Sequence, residues 1–185
     1  SREPLGNGFL LPRGPLREPP EALERAGVVV FTRSEKEFAQ AIDERIAGWL
    51  PGRPVLRTRV RPTSLIGPDG KESSLSSLAG KRVFAFAGIA QPDSFRLSIE
   101  SLGGRVAGFI AFEDHHRYTV EDMRRIEREL AETGAEVLLT TEKDGVKLSA
   151  IEALRQRLSL LAVETEILEG ADALETALRV CIGAR

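Results

Sequence analysis

The stretch KRVFAFAGIAQPDSFRLSIESLGGRVAGFIAF, residues 81–112, decides how the chain folds. Residues 81–89 form a near-continuous apolar run, the pattern of a strand buried on both faces. Residues 92–104 follow with helical spacing and a closing glycine pair, and residues 105–112 are again a buried strand. Two such strands joined by a helix require a crossover connection, which makes the strands parallel.

The rhythm extends in both directions from this unit. Downstream come a helix over residues 119–134, a strand over 135–141, a short EKDGVKL segment, a helix near 150–157, a strand over 159–168 and a last helix from about 171 to 182. Upstream, GVVVF (27–31) is a buried strand and residues 34–50 a helix capped by Ser34, with Phe38, Ile42, Ile46 and Trp49 on one face. Residues 55–67 alternate as a strand, and PDGK supplies the turn after it. The expectation is a three-layer, Rossmann-like α/β domain with a mostly parallel sheet over residues 27–185. Arg57, Arg59 and Arg61 share one face of the 55–67 strand and are read as a solvated face, with a surface for anionic lipid or phosphate as the alternative.

Residues 1–26 differ in kind. Pro4, Pro12, Pro15, Pro19 and Pro20, with Gly6, Gly8 and Gly14, exclude regular helix and central strand, so this segment is read as an extended arm.

The 185 residues carry 26 basic and 28 acidic side chains, a net charge of −2, which gives no global pull toward nucleic acid. The single cysteine, Cys181, has no partner for an internal disulfide; it suits a reducing compartment and is expected to pack in the core. No stretch approaches the roughly 20 apolar residues of a membrane span, and the start lacks both a signal-peptide pattern and an initiator methionine, which points to processing or truncation.

In a parallel α/β sheet, ligands bind beyond the carboxyl ends of the strands. AGIAQPD, EDHHRY and TTEKD all fall there. Next to an acidic residue, His115 suits a general base or proton relay, against a loop histidine that is merely hydrogen-bonded. Thr140 or Thr141 suits a helix cap, with Glu142 and Asp144 favourable in the first turn. A zinc site at Asp114, His115 and His116 lacks a third histidine or a CxxC pair. No Walker A or GxGxxG motif is present, and a hydrolase built on Asp114 and His115 lacks a recognisable nucleophile.

Four segments taken together carry a resemblance: GNGFLLPRGPLREP (6–19), VFAFAGIAQPDSF (83–95), FEDHHRYT (112–119) and LLTTEKDGVKL (138–148). In this order they resemble the tetraacyldisaccharide 4'-kinase family of lipid A biosynthesis, and the likeness covers only the C-terminal part of that family's chain. The resemblance implies a P-loop domain outside this sequence, with residues 1–26 as linker and the strand near 55–67 as part of a hinge. It also implies ATP and Mg²⁺, a lipid A precursor disaccharide as phosphate acceptor, and peripheral contact with the cytoplasmic face of the inner membrane in the parent enzyme.

On the same grounds His115 matches the family's catalytic histidine, assisted there by an aspartate of the N-terminal domain. Asp114 is its motif neighbour and His116 a bystander. Arg17 and Asn7 are expected at substrate or phosphate, Glu18 at Mg²⁺, and Glu142 and Lys143 at a ligand the sequence does not specify. The chain alone is expected to be inactive; the competing reading is a stand-alone module that binds nucleotide or acidic lipid without catalysis.

Overall fold

The computed structural model describes residues 5–32, 46, 50, 52–148 and 156–183. These fall into two compact units, Ser1–Arg61 with Thr165–Arg185, and Pro62–Glu164. The division does not fall at residue 26, because segments distant in sequence meet within the first unit. The helix expected over 34–50 lies almost wholly outside the described residues, as does most of the one near 150–157.

The second unit holds the parallel sheet. Its strands are the end of β2 (Val55–Ile66), then β3 (Glu72–Ser73), β4 (Arg82–Ala87), β5 (Arg105–Ala111), β6 (Val137–Thr141) and the start of β7 (Leu158–Glu169). β4 pairs in parallel with both β5 and β6, and β6 with β7, giving the order β7-β6-β4-β5. The helices are α1 (Pro92–Ser101), α2 (Val120–Thr133) and the short α3 (Glu142–Leu148).

Period-two alternation along β4 produces the layers. Phe84 and Phe86 point to one face and pack with Met123, Ile126 and Leu130 of α2. Val83, Ala85 and Ala87 point to the other, against Phe95 and Ile99 of α1. Each of these five β4 side chains is fully buried, so β4 is the central strand and helices cover both faces of the sheet. The three-layer α/β expectation holds here. Helix α2 starts at a capping box, with Thr119 and Asp122 each closing on the other's backbone amide.

In the first unit β1 (Val29–Phe31) pairs in parallel with Val55–Arg57 of β2. β2 also neighbours β7, and α4 (Ala171–Gly183) ends the described chain. Arg57 meets Glu169 at 3.3 Å, while Arg59 and Arg61 meet Glu166 at 2.7 and 3.5 Å. As numbers rise along β2 their partners fall along β7, so the two strands run in opposite senses. Arg57 alone departs from the reading of a solvated arginine face, being buried, whereas Arg59 and Arg61 are exposed and stand opposite a glutamate of the neighbouring strand, the arrangement that favours cross-strand pairing.

The proline-rich segment is irregular as expected, yet it closes on itself over residues 6–16. Leu11 N–H donates to Leu16 O, Gly14 N–H to Leu10 O and Leu16 N–H to Phe9 O. A 3₁₀ turn over Pro20–Arg25 follows. Cys181 is exposed on α4 rather than packed, because no described residue of that helix is buried.

Gly170 joins β7 to α4 with φ at +83°, and a Cβ there would stand 2.2 Å from the Val55 carbonyl oxygen. Gly170→Ala therefore meets both an unfavourable backbone region and a backbone clash. It is expected to lower stability by about 2 kcal/mol or more in chemical denaturation; an unchanged midpoint would contradict this packing.

Candidate functional site at the carboxyl ends of the parallel strands

Three segments leave the ends of β4, β5 and β6 and meet at Gly88. Its N–H donates to Asp144 Oδ2 at 3.0 Å, and its carbonyl accepts from His115 N–H at 3.3 Å. A Cβ at Gly88 would lie 3.2 Å from Asp144 Oδ1, the His116 Cβ and the Tyr118 hydroxyl alike. A side chain at Gly88 would press on all three at once, and at least one would have to give way by a few tenths of an ångström.

Asp144 is the anchor on the β6 side. Its carboxylate is fully buried, accepts from Gly88 N–H and from the Thr141 hydroxyl at 2.8 Å, and pairs with Lys147 at 2.9 Å. Thr141 in turn accepts from Asp144 N–H, so it caps α3 while fixing the carboxylate. Burial raises the Asp144 carboxyl, but the Gly88 amide, the Lys147 ammonium and the Thr141 hydroxyl outweigh it and hold the group below the usual carboxylate range.

The β5 side carries the adjacent histidines, and the structure separates their roles. His116 stacks on Phe112 with ring centroids 4.6 Å apart, meets Tyr118 edge-on and bonds Asp122 Oδ2 at 3.0 Å through Nε2. It belongs to the packing that seats the loop on α2. His115 is exposed and has φ at +62°, the only described non-glycine residue in the left-handed region. A residue held there costs on the order of 1 kcal/mol, and such strain concentrates at functional positions. Asp114 secures it, since Asp114 Oδ1 accepts from His115 N–H at 3.0 Å.

Asp114, His115 and Lys143 are brought together. His115 Nε2 lies 3.7 Å from Asp114 Oδ2, and Lys143 Nζ lies 3.3 Å from Asp114 Oδ1. Desolvation raises the Asp114 carboxyl, while the Lys143 hydrogen bond and the neighbouring His115 lower it further, so it stays ionised. Burial, then the negative charge of Asp144, pushes the Tyr118 phenol far above its ordinary value, and it remains neutral. The result is an open site with an ammonium, a carboxylate and an imidazole on a frame in which Asp144, Thr141 and Gly88 are bonded to one another, while the buried Tyr118 hydroxyl beside them has no hydrogen-bond partner.

Glu142 is turned elsewhere, accepting from Val163 N–H at 3.1 Å. Arg17, Glu18 and Asn7 lie in the first unit. Asn7 braces the arm, donating to Arg13 O at 3.0 Å and accepting from Phe9 N–H at 3.1 Å. Arg17 is exposed, and Glu18 is ion-paired with Arg25. Among the described residues no three His, Cys, Asp or Glu side chains gather as a metal cage, and no described helix is long and apolar enough to cross a membrane. Sequence reasoning missed Gly88, Tyr118 and Lys147 as parts of the site and saw Asp144 only as a first-turn acid.

A parallel α/β sheet with helices on both faces and a charged loop cluster at its carboxyl edge defines a protein of Rossmann-like fold, in which that edge is where ligands ordinarily bind. The family model described as Tetraacyldisaccharide-1-P 4'-kinase matches residues 1–182, and the chain belongs to that family. It is 42% identical over 177 residues to the tetraacyldisaccharide 4'-kinase of Syntrophus aciditrophicus strain SB, covering 90% of this chain and 47% of the relative. It is 41% identical over 180 residues to that of Anaeromyxobacter dehalogenans strain 2CP-C, covering 95% of this chain and 48% of the relative. The chain thus spans about half the length of the curated relatives it matches. Among solved structures it resembles the "apo" form of LpxK from Aquifex aeolicus in complex with ATP, with a TM-score of 0.62, 25% identity, and coverage of 94% of this chain and 48% of that one.

Asp144→Ala leaves the Gly88 amide, the Thr141 hydroxyl and Lys147 without their shared acceptor, and is expected to cost about 3 kcal/mol. Because the folded carboxyl has the lower pKa, the unfolded chain takes up the proton first as pH falls. Stability from Asp144 is therefore complete above the unfolded value of about 3.9 and is lost as pH falls through the folded value. Denaturation midpoints measured from pH 6 to pH 3 should fall more steeply in the parent chain than in Asp144→Asn; equal slopes would contradict the assignment.

Proposed function

We propose that this chain is the C-terminal portion of an ATP-dependent kinase that phosphorylates the 4'-hydroxyl of tetraacyldisaccharide 1-phosphate. The observation that carries the reading is the family match over residues 1–182, joined by the Asp114–His115–Lys143 cluster at the carboxyl edge of the sheet. The similar Aquifex aeolicus LpxK structure is a complex with ATP, which supports ATP as the phosphate donor.

In the proposed reaction the 4'-hydroxyl oxygen forms a bond to the γ-phosphorus while the bond to the β,γ-bridging oxygen breaks, and ADP leaves with that electron pair. The hydroxyl proton passes to His115. Its Nε2 faces Asp114, so Nδ1 is the atom assigned to receive the proton, and the Asp114 carboxylate stabilises the imidazolium that forms. Lys143 offers a positive point charge toward phosphate oxygens, and Arg17 a guanidinium fork. Asn7 is assigned to the substrate-binding shell by shaping the glycine-rich arm, and Glu142 would join it only on release from the Val163 amide, whose bond it accepts in this structure.

Mg²⁺ binds through one or two carboxylates together with substrate phosphates and water. A lone Glu18 released from Arg25 fits that pattern, and the ion would supply charge neutralisation of the phosphates. The remainder of the machinery, including the P-loop, is assigned to the half of the family's chain that this sequence does not match. The parent enzyme is placed at the cytoplasmic face of the inner membrane, where its acylated acceptor resides.

The test is ATP-dependent phosphorylation of tetraacyldisaccharide 1-phosphate by this chain alone and by this chain joined to the unmatched half of the Syntrophus aciditrophicus relative. Activity is expected only in the joined protein. There His115→Ala should lower kcat by about 100-fold or more with little change in KM, whereas Lys143→Ala should chiefly raise KM. A folded joined protein without transfer would sink the reading, and binding of nucleotide by the chain alone without any transfer would favour the stand-alone module.

A further inference from the structure

Tyr118 carries an atom that its packing does not use. Its ring stands edge-on to Phe86, Phe112 and His116, with centroids 5.7, 5.2 and 5.1 Å away, contacts that a phenylalanine would make equally well. Its hydroxyl is buried and makes no hydrogen bond in this structure. A buried donor left unpaired lowers stability, so the hydroxyl serves a state other than this one.

The neighbouring carboxylate shows which state. The Tyr118 hydroxyl and Asp144 Oδ1 lie at the same distance, 3.2 Å, from the point a Gly88 Cβ would occupy, so both border one small volume. Asp144 Oδ2 is committed to the Gly88 amide and the Thr141 hydroxyl, whereas Oδ1 accepts from Lys147 Nζ at 2.9 Å. Burial, then the Asp144 charge, push the phenol up, so its proton stays in place and can be donated.

Lys147 is placed for more than one partner. Its side chain is 26% accessible while Asp144 is fully buried, so the ammonium lies where the frame meets the open site. It follows Lys143 by four residues on α3, one turn along the same face, and its Nζ stands 5.8 Å from the centroid of the Tyr118 ring. At rest each lysine faces an aspartate, Lys143 at Asp114 and Lys147 at Asp144.

We propose that Lys147 is a second phosphate-contacting lysine beside Lys143, released from Asp144 when the Tyr118 hydroxyl takes its place on Oδ1. Tyr118 is then a positioning residue, which lowers the cost of freeing the ammonium without touching the substrate. The bonds at Oδ2 stay intact, so the frame that holds Gly88 and His115 does not move, and no proton changes hands. The proposal rests on the kinase reading for the source of the phosphate, which is either ATP or the 1-phosphate of the acceptor.

The exchange of donors is tested on the 185-residue chain alone by chemical denaturation. Tyr118→Phe is expected to leave the midpoint unchanged or raise it, and Lys147→Met to lower it. The double variant should lose more than the sum of the two, because Oδ1 then has neither donor. Additive effects would overturn the reserve role of the hydroxyl. For the phosphate contact, inorganic pyrophosphate is titrated into the parent chain while NMR follows the Lys147 ammonium and the Tyr118 ring. Both should shift with one midpoint; a Lys147 signal indifferent to pyrophosphate would overturn the contact.

In the joined protein, Lys147→Met and Tyr118→Phe should each raise the same KM about tenfold, with less change in kcat. A rise for ATP puts Lys147 at the nucleotide, and a rise for the disaccharide puts it at the 1-phosphate. Transfer with both KM values unchanged would refute the proposal alone. A joined protein that transfers no phosphate, while both results on the chain alone hold, refutes the kinase assignment alone.

Discussion

The buried Asp144 carboxylate is the interaction on which the candidate site depends. A carboxylate without water is costly unless its oxygens are bonded, and here an amide from the end of β4, a hydroxyl from the end of β6 and an ammonium from α3 supply the bonds. The geometry of each donor follows from that requirement. Gly88 has no side chain because the carboxylate and the Tyr118 hydroxyl occupy the space, and Thr141 caps α3 because the same hydroxyl serves both partners. Fixing Gly88 also fixes its carbonyl, which receives the His115 amide and so sets where the exposed imidazole stands. The site is therefore rigid underneath and open above, an arrangement that suits a group expected to meet a substrate.

Much of the fold was legible in the sequence because it rests on periodicity. The apolar run at 81–89 marked β4, and the helical pattern over 119–134 marked α2 but not its capping box. The exposure of Cys181 and the burial of Arg57 were not legible. The apolar C-terminal run suggests burial, and nothing in the run itself says whether the rest of the chain supplies a surface to bury it. Arg57 looked solvated because its partner, Glu169, is more than a hundred residues away. Long-range strand pairing carries no local signal.

The site was legible in part for a similar reason. Loops at the carboxyl ends of parallel strands are predictable places for function, and FEDHHRYT and TTEKD stand there. Which histidine packs and which is presented depended on the left-handed turn at His115 and on the Phe112, Tyr118 and Asp122 contacts of His116, none of which has a sequence signature. Asp144 escaped notice because an aspartate in the first turn of a short helix is ordinarily a solvated cap residue, and its burial arises only when β4 places Gly88 against it.

Asp144 is thus an ionised, buried carboxylate that ties the strand ends together, and everything else at the site leans on it. The most direct measurement is the titration of its side-chain carboxyl carbon by NMR in the full chain. The expected midpoint lies below the ordinary aspartate range, with the Gly88 amide resonance moving at the same pH. A midpoint at or above the ordinary value, or a Gly88 amide indifferent to that titration, would contradict it.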